Sequence, residues 1–260
     1  MKRVFITGAS SGLGAALARS YAAQGAFLGL AGRRQAALDD VLSSCPNAAR
    51  HRLYVVDVND HAALAAAAKD FIGAAGGIDV VIASAGVSWG TLTDHVEDLD
   101  VFSQIFSTNV LATVATFTPF IAAMKAQAAA GRQDLRLVGI ASVAGMRGLP
   151  GAGAYSASKA AVIRYCESLR IELRSTGIRV VTIVPGYIDT PMTQVNRYPM
   201  PFLTSAPVFA ERAIKAIEAG RSYRVIPWQM GIVATLLNWL PNWLYDMLFA
   251  NAPHKGRQTG

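Results

Sequence analysis

The stretch AYSASK sets Tyr155 and Lys159 four residues apart, so on a helix both side chains rise from one face. An ammonium beside a phenol favours the phenolate and brings a group whose ordinary pKa is near 10 toward the working pH. Such a phenol can give a proton to a carbonyl oxygen under reduction, or take one from an alcohol under oxidation. Tyr–Lys pairs at this spacing are common surface decoration; this one follows a run ending IAS and a small-residue loop, VAGMRGLPGAG. Ser142 closes that run thirteen residues ahead of Tyr155 and by itself would be a strand-end cap. A second cluster is TGASSGLG, in which Gly8, Gly12 and Gly14 sit behind the apolar run VFI. A turn of this kind sets backbone N–H groups and the positive end of the following helix against a pyrophosphate. A plain tight turn needs one glycine, so three together are expected to mark a nucleotide site.

The elements that must hold these residues are legible as apolar runs. RVFIT, AFLGLAG, RLYVVDV, DVVIASAG, LRLVGIAS and IRVVTIVPG are near-continuous rather than alternating, as strands covered on both faces should be. Helix-period segments such as GAALARSYAAQ, HAALAAAAKDFIGAA and AYSASKAAVIRYCESLRIELRS lie between them, each long enough for a crossover. The expected architecture is α/β, a doubly wound Rossmann-type parallel sheet with helices on both faces and the ligand beyond the carboxyl ends of the strands. At 260 residues and 27.5 kDa a single domain is expected: residues 1–226 carry cofactor and chemistry, and 227–260 form an apolar extension of the same unit.

Composition narrows the function. The net charge is +7, but the cations are scattered and no basic run is interleaved with aromatics, which argues against nucleic acid. An anionic small molecule or an acidic membrane surface accounts for the surplus as well. Cys45 and Cys166 fall in no metal-ligand or CxxC spacing and read as reduced thiols. The start MKRVFITGAS is too short in apolar residues for a secretory signal, so a cytoplasmic protein without a metal is expected.

The turn written TGxxxGxG resembles that of the short-chain dehydrogenase/reductase family, and four further motifs follow in the family's order between about Val4 and Met192. The resemblance implies a catalytic set of Asn109, Ser142, Tyr155 and Lys159. Tyr155 would move the proton and Ser142 hold the reacting oxygen. Lys159 would tune Tyr155 and bind the nicotinamide ribose, while Asn109, in FSTNVLA, would complete a water-linked relay. It also implies cofactor contacts from Gly8, Ser10, Ser11, Gly12, Leu13 and Gly14, from Asp57 and Val58 at the adenine, and from Pro185, Gly186, Ile188 and Thr190 beside the nicotinamide. The family's NNAG is replaced by Ala83-Ser84-Ala85-Gly86, so Ser84, Ala85 and Gly86 are expected to keep the cofactor wall with an altered local network. At the end of the second strand, where an NAD enzyme places an acid for the ribose, stand Gly32, Arg33 and Arg34. A guanidinium there can grip a 2'-phosphate, which makes NADP (NADPH) the expected cofactor.

Substrate choice in this family lies after the PG turn. Here the lid of about 191–210 is rich in Met, Pro and Phe, ahead of a helix expected to start near Ser205 with Pro207 in its first turn. An apolar or lipid-like carbonyl compound or secondary alcohol is the expected substrate. The tail from Pro227 to Ala250 carries three Trp and one charge, Asp246; Pro241, Asn238, Asn242 and Asp246 interrupt it and argue against a span. Three readings stay open: burial against the protein or a sister subunit, a wall of the substrate site, or peripheral membrane contact through 228–250. Burial is expected first and bilayer contact second. The resemblance implies a homodimer or homotetramer. The competing function is a catalytically silent NADP-binding sensor or scaffold, against which the complete Asn–Ser–Tyr–Lys set argues.

Overall fold

The computed structural model of the chain describes residues 1–196 and 198–257. Strand β1 (Arg3–Thr7) leads through the glycine turn into helix α1 (Gly12–Ala23), followed by β2 (Phe27–Gly32), α2 (Gln35–Ser43), β3 (Arg52–Val55), α3 (His61–Ala75) and β4 (Val80–Ala83). After β4 come α4 (Asp98–Phe106) and α5 (Ala112–Ala129), joined without a break by a π-type turn over Ser107–Leu111. Then β5 (Leu135–Ile140), α6 (Gly153–Glu172) and β6 (Ile178–Pro185) complete the second winding. A short pair, β7 (Ile188–Asp189) and β8 (Thr204–Ser205), brackets the lid with α7 (Pro191–Gln194) between them; α8 (Ala206–Glu218), β9 (Tyr223–Ile226), α9 (Trp228–Trp239) and α10 (Asn242–Phe249) follow.

Seven strands form one parallel sheet in the order β3-β2-β1-β4-β5-β6-β9. Chain order reverses between β1 and β4, which is the switch point where a doubly wound sheet opens its ligand crevice. The continuous apolar runs are explained by cover on both faces. Along β1, Val4 and Ile6 join the layer with α1 and α8, whereas Phe5 joins the layer with Phe71, Phe117 and Phe120 of α3 and α5. All six of these side chains are fully buried, and period-two alternation divides them between two cores.

Six of the seven strands match the apolar runs of the sequence. The seventh, β9, escaped because YRVI is short and its first two residues are exposed; it is an edge strand that half-faces solvent. Helix α8 begins at Ala206 with Ser205 before it and Pro207 in its first turn, as expected. The continuous helix over Asp98–Ala129 is long and apolar enough to cross a membrane, with mean hydropathy 1.5, but it seats Phe117, Phe120 and Met124 in the core.

At the amino ends of β1 and β4, away from the crevice, buried Asp79 ties the sheet together. The Arg3 backbone N–H donates to it at 2.9 Å, the Arg3 guanidinium at 3.0 and 2.7 Å, and Arg132 Nε at 3.0 Å. Burial pushes the Asp79 carboxyl up, but these bonds outweigh it and hold it below the usual carboxylate value. Asp79→Ala leaves Arg3 half-buried without its partner, and a loss of about 3 kcal/mol is expected at pH 7. The folded-state pKa is depressed, so this stability is complete above an unfolded value of about 3.9 and is lost as pH falls through the lower folded one. The gap between urea melts of wild type and variant should therefore be narrower at pH 3 than at pH 7; a constant gap would refute the charge contribution.

The tail packs against its own chain along one stripe. Only Met230, Ala234 and Tyr245 of α9 and α10 are buried against the chain, while Trp228, Trp239, Trp243, Leu236 and Met247 are all more than half exposed. A single inward stripe packs, because two helices added outside a completed sheet have one face to bury. Arg147 fixes the corner between them: its Nη1 donates to the carbonyls of Leu237 at 2.6 Å and Leu240 at 2.8 Å, and its guanidinium lies 4.0 Å from the Tyr245 ring centre.

Candidate active site

The glycine turn is more tightly specified by the chain itself than the sequence suggested. Gly8 has φ +68°, and a Cβ there would lie 2.7 Å from the Ala85 backbone. A Cβ on Gly14 would collide with the Gly8 carbonyl. Packing of β1 against the loop after β4 therefore demands Gly8, the closeness of the turn to itself demands Gly14, and Gly12, at φ +54° with no atom nearer than 3.6 Å, is set by backbone conformation. The cradle still fits a pyrophosphate on a separate observation. Ser11 precedes α1 without a side-chain capping bond, and a helix start leaves its first N–H groups without backbone partners. These donors face a groove of about 280 Å³ lined by Gly8, Ser11, Gly12 and Gly14.

The same groove runs to the ends of β2, β3, β4 and β6. Arg33, Arg34, Asp57, Val58, Ser84, Ala85, Gly86, Pro185, Gly186, Ile188 and Thr190 all line it, with Ser10 and Leu13. Every residue assigned to the cofactor from sequence thus borders one cavity. Arg34 Nη2 donates to Ser11 Oγ at 3.1 Å and to Ser10 Oγ at 3.4 Å, whereas Arg33 is largely exposed and lies 3.7 Å from Asp57. Asn59 and Thr108 also line the groove; they had no motif to mark them. They enter because Asn59 Nδ2 donates to Thr108 Oγ1 at 3.3 Å across the loops after β3 and α4.

A second cavity of about 300 Å³ shares Ser142, Tyr155, Gly186, Met192 and Thr193 with the groove. The two spaces meet at Tyr155. Tyr155 and Lys159 stand on the first turns of α6, as their spacing required. Lys159 is buried, and its Nζ donates to the Ile140 carbonyl at the end of β5 at 2.9 Å. Ser142 begins the turn after β5, its Oγ accepting from the Ala144 N–H at 3.2 Å.

Burial pushes the Tyr155 phenol up, against a smaller downward pull from the Ser142 hydroxyl. Burial likewise pushes Lys159 down, to about 8. The Lys159 Nζ lies 5.9 Å from the Tyr155 ring centre and donates to a backbone carbonyl. Tyr155 is a protonated acid at neutral pH.

Asn109 sits in the π-type turn between α4 and α5 and is fully buried. Its Nδ2 donates to the Val87 carbonyl at 3.0 Å and to Ser158 Oγ at 2.9 Å, and its Oδ1 accepts from the Val87 N–H at 2.8 Å. Its side chain clamps the loop after β4. Gly86 lies between Asn109 and Lys159: a Cβ there would be 3.2 Å from Asn109 Oδ1 and 3.5 Å from Lys159 Nζ. Asn109 is thereby brought within one residue's width of the Lys159 ammonium.

The lid contributes Met192, Asn196, Tyr198 and Pro199 to the second cavity, while Phe202 and Leu203 are half exposed and lie outside it. The far wall comes from the tail, one of the three readings left open for it: Phe249 completes it, together with Ala252, Pro253 and Lys255, which the sequence did not single out for this role. A separation of about a hundred residues from Tyr155 leaves no local pattern by which to find them.

A doubly wound sheet with a glycine-turn groove and a Ser–Tyr–Lys cluster at its mouth defines a Rossmann-type oxidoreductase. The short chain dehydrogenase family profile matches residues 2–200. An oxidoreductase of Myxococcus xanthus is 36% identical over 249 residues, spanning 94% of this chain and 95% of its own. One of Mycobacterium tuberculosis is 35% identical over 243 residues, spanning 92% and 93%. The crystal structure of a 3-ketoacyl-(acyl-carrier-protein) reductase from Brucella melitensis complexed with NADH superposes with a TM-score of 0.79 at 25% identity, covering 86% of this chain and 96% of that one. The chain belongs to the short-chain dehydrogenase/reductase family.

Proposed function

We propose that the protein is an NADP-dependent reductase that transfers a hydride to a carbonyl compound with an apolar body, running in reverse on the corresponding secondary alcohol. The observation that carries this reading is the meeting of the two cavities at Tyr155, with Ser142 beside it and Lys159 on the same helix face. Preference for NADP is supported by the absence of a carboxylate at the end of β2, where Gly32 stands, and by two guanidiniums at that edge of the groove.

The dinucleotide, when bound, supplies the hydride. Its pyrophosphate would lie on the start of α1, its adenine near Asp57 and Val58, its 2'-phosphate against Arg33 and Arg34, and its nicotinamide near Pro185, Gly186, Ile188 and Thr190. Tyr155, held protonated by burial, donates its hydroxyl proton to the carbonyl oxygen. Ser142 holds that oxygen by a hydrogen bond. Lys159 places positive charge beside the phenolate left behind and binds the ribose, and Asn109 fixes the Gly86–Val87 wall against which Lys159 is set. The lid residues Met192, Asn196, Tyr198 and Pro199 cover the substrate, Phe249, Ala252, Pro253 and Lys255 wall its far side, and the protein works in the cytoplasm as a dimer or tetramer.

The reading is tested by following NADPH oxidation with aldehydes and ketones of graded chain length. Lys159 titrates near 8, and its ammonium is the form that stabilises the phenolate. Reduction is therefore expected to slow as pH rises through about 8; a rate independent of pH between 6 and 9 would remove Lys159 from the mechanism.

A further inference from the structure

The substrate cavity is lined by one ammonium, that of Lys255, which the proposed reaction does not use. Beyond α10 the chain returns over the cavity and is fastened there. The Gly90 N–H donates to the Gly256 carbonyl at 2.9 Å, and Arg257 Nε and Nη2 donate to the two carboxylate oxygens of buried Asp98 at 2.9 and 3.0 Å. On the other side the tail packs so closely that a Cβ on Gly151 would lie 2.7 Å from His254.

This fastening fixes Lys255 in the cavity wall. Its Nζ donates to Ser88 Oγ at 2.8 Å and lies 5.7 Å from the Tyr155 ring centre. Among the described residues no carboxylate pairs with Lys255, and the acids near the end of the tail, Glu97 and Asp98, are both engaged by Arg257. Burial pushes the Lys255 ammonium down to about 8 with no opposing charge. A partly buried cation held in place without a counter-ion is unfavourable by itself and is relieved by an anionic ligand.

We propose that Lys255 binds a carboxylate of the substrate, so that the carbonyl compound reduced here is an oxo acid. Its carboxylate pairs with Lys255 close to the carbonyl presented to Tyr155, and its apolar body lies against Leu149, Tyr187 and Phe249. The assignment of the reacting carbonyl rests on the reductase reading; the carboxylate site does not.

The test separates the two. Octanoate and octanamide are titrated into NADPH-loaded wild-type protein, Lys255→Met and Lys255→Arg, with binding read by calorimetry. Wild type should prefer octanoate by about tenfold or more, Lys255→Met should bind both within about twofold, and Lys255→Arg should retain the preference. Equal affinities in wild type, a preference that survives in Lys255→Met, or no binding of either compound would overturn the proposal. In parallel, NADPH oxidation is followed with 4-oxooctanoate and its methyl ester. Lys255-dependent octanoate binding without turnover of any carbonyl compound would leave the carboxylate site standing and sink the reductase reading. Turnover of ester and acid with equal kcat/KM in wild type and Lys255→Met would do the reverse.

Discussion

Tyr155→Phe should abolish carbonyl reduction while leaving NADPH binding within about threefold of wild type. The substitution removes one oxygen and keeps the ring, so the wall shared by the two cavities retains its shape. What is lost is the phenol at that junction, the proposed proton donor. A positioned acid contributes about 10²–10⁴-fold, so kcat should fall by about a thousandfold. Cofactor affinity should persist because the donors at the start of α1 and the Arg33–Arg34 edge lie at the other end of the groove. Steady-state kinetics and a fluorescence titration of NADPH on the same preparations check both halves. Loss of binding together with turnover would show that Tyr155 is a structural residue of the groove.

Arg33→Asp should cost NADPH far more than NADH. Arg33 is mostly exposed and its one close partner is Asp57 at 3.7 Å, so its removal disturbs little of the fold. A charge-assisted bond between guanidinium and phosphate contributes about 1.5–3 kcal/mol, and the new carboxylate would repel a 2'-phosphate but accept from a free ribose hydroxyl. Together these predict that kcat/KM for NADPH falls by about a hundredfold or more, while that for NADH stays within about fivefold or improves. Arg34→Ala should weaken both cofactors, since Arg34 is bonded to Ser10 and Ser11 of the shared turn. An equal loss of NADPH and NADH in Arg33→Asp would remove Arg33 from phosphate recognition.

What could be read from the sequence was what chemistry makes local. The runs that became β1 to β6 are apolar because both faces of the sheet are covered, and Tyr155 and Lys159 announced themselves by a four-residue helical spacing. The glycine turn was legible as a motif, but the packing that also requires it was not. Gly8 also answers to a close contact with the loop after β4, and Gly14 to the Gly8 carbonyl within the turn itself, neither of which the spacing expresses. Asn109 was placed correctly on the long helix after β4, yet its partners, Val87 and Ser158, lie 22 and 49 residues away. Lys255 was visible only as part of a basic surplus; it became a site residue because Arg257 fastens the tail to Asp98 across a separation of 159 residues. The apolar tail likewise showed its composition and concealed its orientation, since one stripe packs and the other faces out.

The central claim is direct transfer of hydride to a carbonyl carbon under proton donation by Tyr155. The measurement closest to it uses NADPH carrying deuterium at the transferable position of the nicotinamide, incubated with the protein and a graded series of ketones and oxo acids, with the alcohols analysed by mass spectrometry. One deuterium on the carbinol carbon of a product, absent with Tyr155→Phe, is the predicted result. Tight NADPH binding with no labelled alcohol from any member of the series would contradict the claim and favour a protein that senses the dinucleotide without using it.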